Sequence, residues 1–138
     1  MIDEDRLKHS LAVARKMVEI GKIYNMSEKQ LQELFVLGVN HDIGYEFGDN
    51  FNHNEIGGNI LKENGYKYWK EIYYHGKINI NFNSQYLNIL NIADMQINKY
   101  GEDVGFTERL EDIKKRYGED SITYKNAEAL IMKLRSEE

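Results

Sequence analysis

The four histidines of the chain and two of its aspartates sit where apolar residues would be expected. His41 follows Leu34, Leu37 and Gly38 by seven, four and three residues, which puts it on the core side of a helix. Asp42 stands at the same offsets from Phe35, Gly38 and Val39, and Asp94 follows Leu87, Leu90 and Asn91 and precedes Ile97. His53 leads Ile56, Gly57 and Ile60, His9 is close to Ala12 and Val13, and His75 lies one turn beyond Ile72. An ionised carboxylate buried without a partner is very costly, and a neutral polar group so buried costs a few kcal/mol. Inward aspartates and histidines must therefore satisfy one another or share a cation. Any one of them alone reads as a hydrogen-bonded core residue. The set reads as a site for a hard-to-borderline divalent metal, which imidazole and carboxylate ligands suit.

The elements that must position these groups are helical. There is no proline, and apolar residues recur at helical rather than alternating spacing. Leu7, Leu11, Ala14 and Val18 predict one face of a helix over roughly 3–24. Ser27 followed by Gln30 reads as a capping box opening a second helix, with Leu31, Leu34, Phe35 and Leu37, to near Asp42. Gly44 suits a left-handed residue just past that helix end. A polar loop from Tyr45 to Asn52 follows, then a short helix from His53 to the Asn64-Gly65 pair and another over 67–76. The alternating stretch at 80–84 is too short to found a sheet. Ser84 caps a fifth helix through Asn98, and Phe106–Tyr117 and Tyr124–Leu134 complete the count. With no repeat and no linker, residues 1–138 are expected to form a single all-α domain, a bundle of six to seven helices.

Composition narrows the function. No stretch nears the roughly 18 apolar residues of a membrane span, and the first residues are acidic and polar, so neither a membrane anchor nor a secretory signal is expected. Without cysteine there are no disulfides and no thiolate metal sites, which is compatible with a cytoplasmic protein. The net charge of −5 and the absence of a basic stripe argue against nucleic acid as a partner. An anionic small molecule remains open, because a bound cation reverses the local field.

His9, the His41-Asp42 pair and Asp94, in that order, resemble the H…HD…D signature of the HD superfamily, in which these residue types bind a divalent metal inside a helical bundle. The flanking text KHSLAVARKM, LGVNHDIGYE, HNEIGGNIL and YYHG strengthens the match, which runs from about Arg6 to Asp94. The resemblance implies an HD-type bundle and a metal-dependent phosphohydrolase with one or two divalent ions. One ion would be held by His9, His41, Asp42 and Asp94, and a second by Asp42, His53 and His75, with His41, Asp42 and His75 catalytic. The alternative for His53 and His75 is contact with substrate phosphate, or acid–base work, in a one-metal site. The six-residue pattern looks like that of diadenosine tetraphosphate hydrolases. It departs from HD-GYP phosphodiesterases, which carry a double histidine where this chain has Tyr74-His75 and a lysine in place of Tyr45.

Such a reaction needs a cation to activate water and to neutralise phosphoryl charge. Nitrogen and oxygen ligands suit Mn, Fe, Co or Ni. The expected substrate is a small phosphorylated molecule, a nucleotide among the candidates. Arg6, three residues before His9, and Lys77, just after the YYHG segment, are the first candidates to contact it, with Lys99 and Arg109 reading as solvated charges. Glu46 is a candidate outer-sphere base. The competing functions are an HD-fold di-iron oxygenase and a non-catalytic nucleotide-binding module. The Tyr-rich composition leaves a homodimer open.

Overall fold

Ser27 opens the second helix as its spacing requires: its hydroxyl accepts from the Gln30 amide while the Gln30 side chain accepts from the Ser27 amide. Ser84 does the same work once, accepting from the Leu87 amide. A computed structural model describes residues 4–46 and 53–136. Among them are seven α-helices and no strand: α1 (Glu4–Ile23), α2 (Glu28–Asn40), α3 (His53–Glu63), α4 (Trp69–Tyr74), α5 (Gln85–Asp94), α6 (Gly105–Tyr117) and α7 (Ile122–Ser136). A short 3-10 turn, Ile43–Glu46, lies between α2 and α3. The all-α expectation holds, and residues 47–52, most of the expected loop, lie outside the described residues. No described helix is long and apolar enough to cross a membrane.

Helix α5 is the axis of the bundle. It touches α1, α2, α4 and α7, and buries Tyr86, Leu87, Ile89, Leu90, Asn91, Ala93 and Asp94. Six of its ten residues are apolar, and the polar Asn91 and Asp94 are buried among them, where each needs a partner. One core cluster joins it to Val13 and Met17 of α1, Leu34 and Leu37 of α2, and Ile72 of α4. Fully burying each such side chain stabilises the fold by about 1.5–3 kcal/mol. A second cluster joins Met95 to Phe106 of α6 and Leu130, Ile131 and Leu134 of α7.

Helix α1 is rotated from the expected face. Its buried residues are His9, Ser10, Val13, Ala14, Met17 and Gly21, while Leu7 is 43% exposed. Close approach of α2 causes this: a Cβ built on Gly38 would lie 2.5 Å from the Ala14 backbone, so the contact selects small residues over leucines. Phe35 is likewise 38% exposed. Two helix ends also differ. Helix α2 stops at Asn40 with His41 as its C-cap, two residues short of Asp42. Helix α5 stops at Asp94, not Asn98, because the Asn98 side chain accepts from the Tyr100 and Glu102 amides and folds the chain into a turn. That turn is closed by a bridge between Ile97 and Asp103.

Candidate metal centre

Helix ends bring the polar residues together. His9 projects from α1, His41 caps the C-terminus of α2, Asp42 follows it in the turn, His53 begins α3, His75 caps α4, and Asp94 ends α5. The carbonyl ends of α2 and α5 carry partial negative charge, which favours a cation between them. Gly44 serves a different purpose from the expected one. Its backbone is not left-handed; a Cβ there would sit 1.6 Å from the His53 carbonyl oxygen. Only glycine lets the turn after α2 and the start of α3 approach this closely, and that approach delivers His53 to Asp42.

Asp42 is the hub. Its Oδ2 lies 3.2 Å from His41 Nε2 and 3.6 Å from His9 Nε2, and its Oδ1 lies 3.3 Å from His53 Nε2 and 3.5 Å from His75 Nε2. Asp94 Oδ1 is 2.9 Å from His9 Nε2 and 3.3 Å from His41 Nε2. The fold thus gathers the six residues expected at the centre: every histidine has its Nε2 within 3.6 Å of an Asp42 oxygen, and Asp94 meets His9 and His41. The rings are oriented from behind. Nδ1–H of His9 donates to the Asn98 carbonyl (2.9 Å), that of His41 to Gly38 (2.6 Å) and that of His75 to Ile72 (2.5 Å). A carbonyl only accepts, so each Nδ1 carries the proton and each Nε2 turns a lone pair towards the carboxylates.

Lone pairs facing carboxylates repel unless a proton or a metal ion stands between them. His41, fully buried, makes the point most sharply, since its Nε2 has no hydrogen-bond partner. Burial pushes the His41 imidazole down, but the facing Asp42 and Asp94 outweigh it and hold it well above the usual histidine range. Burial raises the Asp42 and Asp94 carboxyls, and the imidazoles outweigh it, holding both well below the usual carboxylate range. The centre is therefore built for positive charge. His9, His41 and Asp94 form one group able to hold a metal ion, and His41, Asp42 and His75 another. This all-nitrogen-and-oxygen donor set fits a divalent cation.

His53 is held differently. Its ring is 19% exposed, its Nδ1 is buried without a partner, and it stacks on Tyr45 with centroids 4.0 Å apart. The Arg6 guanidinium covers the other approach to Tyr45, 3.2 Å from the ring centroid. Burial pushes the Tyr45 hydroxyl up to about 12, so the ring is neutral at ordinary pH. Sequence reasoning missed Asn54, whose side-chain amide donates to the carbonyls of Tyr73 and His75 and fixes the His75 segment. The signal was its spacing: Asn54, Gly57 and Gly58 form the buried face of α3, where a polar residue needs a reason. From α5, Asn91 supports the same segment by accepting from the Gly76 amide.

A cavity of about 530 Å³ opens beside the centre, lined by His9 and Asp42 together with Arg6, Tyr45, Lys99 and Arg109. Arg6 is thus where an anion-binding residue is expected. Lys77 is not among the lining residues; it pairs with Glu55 and stands over the Tyr73 ring. The Glu46 side chain lies outside the described residues.

A family model for the HD domain matches residues 6–101 of the chain. No curated protein and no solved structure gives a match.

Proposed function

The chain belongs to the HD domain family, and from that premise we propose that it is a metal-dependent phosphohydrolase cleaving a phosphate ester or anhydride of a nucleotide or other small phosphorylated molecule. One observation carries the reading: four imidazole Nε2 atoms converge on two buried carboxylates at the edge of a cavity bearing arginine and lysine. His9, His41, Asp42 and Asp94 would hold one ion, and Asp42, His53 and His75 a second. Mn, Fe, Co and Ni suit these ligands. When bound, a divalent cation there supplies Lewis-acid activation of water and neutralises phosphoryl charge.

The protein's own groups do the rest. The backbone carbonyls of Gly38, Ile72 and Asn98 fix the tautomers, so the ligand atoms are arranged before anything binds. Arg6 and Arg109 draw the phosphate to the cavity, where guanidinium and phosphate match in geometry. His41, Asp42 and His75 are the proposed catalytic groups, with Asp42 the one that lines the cavity, and the apolar core behind them keeps water from the back of the site.

The test is turnover of an aryl phosphate and a nucleotide panel by protein loaded with Mn or Co, compared with Asp42→Ala. Hydrolysis lost in the variant supports the reading. Metal-loaded wild type that is inert to the whole panel overturns it. The pairing of His53 and His75 on one Asp42 oxygen also keeps a di-iron oxygenase in view. Substrate-dependent oxygen uptake by iron-loaded protein would single out that chemistry.

A further inference from the structure

We propose that the cavity continues into a second anion subsite built from Lys99, Arg109 and Arg116, and that the substrate is therefore a phosphate chain rather than a lone monoester. This rests on the phosphohydrolase reading and narrows it. Arg109 and Arg116 are on α6, beyond the residues matched by the family model, while Lys99 lies within them.

The three cations line the 530 Å³ cavity that reaches His9 and Asp42, and also a second cavity of about 300 Å³ that adds Lys115. The two spaces thus share a wall of positive charge leading away from the metal centre. Arg109 joins that wall to the centre, its Nε donating to the Asp94 carbonyl at 3.4 Å. Arg116 is seven residues further along α6, two turns on the same face and roughly 10 Å along the axis. A single phosphoryl group held at Asp42 does not fill such a wall; a second or third phosphate does.

The three side chains touch neighbouring groups, Arg109 the Asp94 carbonyl, Lys99 the Tyr100 ring and Arg116 the Tyr117 ring, but none of these contacts neutralises a charge. Elsewhere on the chain Lys8 pairs with Glu4, Lys16 with Asp103 and Lys77 with Glu55. Among the described residues, Lys99, Arg109 and Arg116 have no carboxylate within ion-pair distance, although Asp112 lines the second cavity. Besides Asp42, the acidic members of the first cavity are Glu4 and Asp5 in the first turn of α1, and Glu4 is engaged by Lys8. In a protein of net charge −5, unpaired cations gathered along one wall have an anion as their natural partner.

Calorimetric titration of metal-loaded protein with AMP, ATP and inorganic tripolyphosphate tests this, with metal content rechecked after each run. ATP and tripolyphosphate should bind wild type at least about tenfold tighter than AMP, as added charge-assisted contacts predict. Arg116→Glu and Lys99→Glu, both at exposed positions, should remove most of that advantage and leave AMP affinity nearly unchanged, with Arg116→Lys retaining part of it. Equal affinities for AMP and ATP would overturn the proposal. So would an advantage for ATP that tripolyphosphate lacks, or charge reversals that weaken all three ligands alike. Because the readout is binding, a chain that binds phosphate chains yet hydrolyses nothing would refute the hydrolase reading and leave the subsite standing.

Discussion

Two carboxylate clusters invite comparison, one around Glu33 and one around Asp42. In the first, Tyr68 donates its hydroxyl to one oxygen of Glu33 at 2.7 Å and Tyr86 donates to the other at 3.0 Å. Each oxygen accepts a hydrogen bond, and the cluster ties α2 to α5 and to the start of α4. In the second, the oxygens of Asp42 meet the Nε2 atoms of His9, His41 and His75, whose Nδ1–H groups are committed to backbone carbonyls, and that of His53. The residue classes are similar: an acid among aromatic rings. What differs is the supply of protons. A carboxylate answered by hydroxyls is finished; one answered by lone pairs is waiting for a cation.

The largest effect should come from Asp42→Ala, which removes the group shared by both halves of the centre. Elemental analysis should find the protein depleted of metal, and turnover should fall to background. Retention of metal by this variant would erase the distinction between the clusters. Next comes His53→Ala, which should lower metal content from near two equivalents to near one, because only Asp42 and His75 remain on that side. Tyr45→Leu should be milder, weakening the second equivalent by about 10–100-fold as losses of supporting contacts do, with Tyr45→Phe close to wild type because the stack survives. Glu33→Gln should leave metal content untouched. The Tyr68 hydrogen bond, outweighing burial, lowers the Glu33 carboxyl below its ordinary 4.5. The unfolded chain thus binds the proton more readily than the folded one. Glu33 therefore contributes stability that is fully present above about pH 4.5 and fades as pH falls towards the folded value. Denaturation at pH 7 should show the variant less stable by about 1 kcal/mol or less, given solvent screening, and the gap should close in acid.

The order of helices and the gathering of these polar residues were legible because they depend on local signals: capping serines, helical spacing, and an ordered set of polar residues among apolar ones. Asp42 shows how such reasoning reaches a position by a faulty route. Its place was inferred from Phe35 on a continuing helix, yet that helix has ended and Phe35 is half in solvent. The turn after α2 aims the carboxylate instead. Contacts between distant segments were not legible. Which face of α1 turns inward depends on how closely Gly38 lets α2 approach. The arginines of α6 looked like ordinary surface charges until the fold laid that helix along the cavity. Asn98 ended α5 early through its own side chain, and its carbonyl then became the support for His9.

The contact between His9 and Asp94 joins residues 85 apart in a chain that has no cysteine. An ion gripped by both in the folded chain and released by the unfolded one would stabilise the fold by mass action, by about 2.7 kcal/mol when free metal stands at a hundred times its Kd. Chelation should then lower the melting temperature of the whole bundle, and heat resistance would follow the supply of metal in the surroundings.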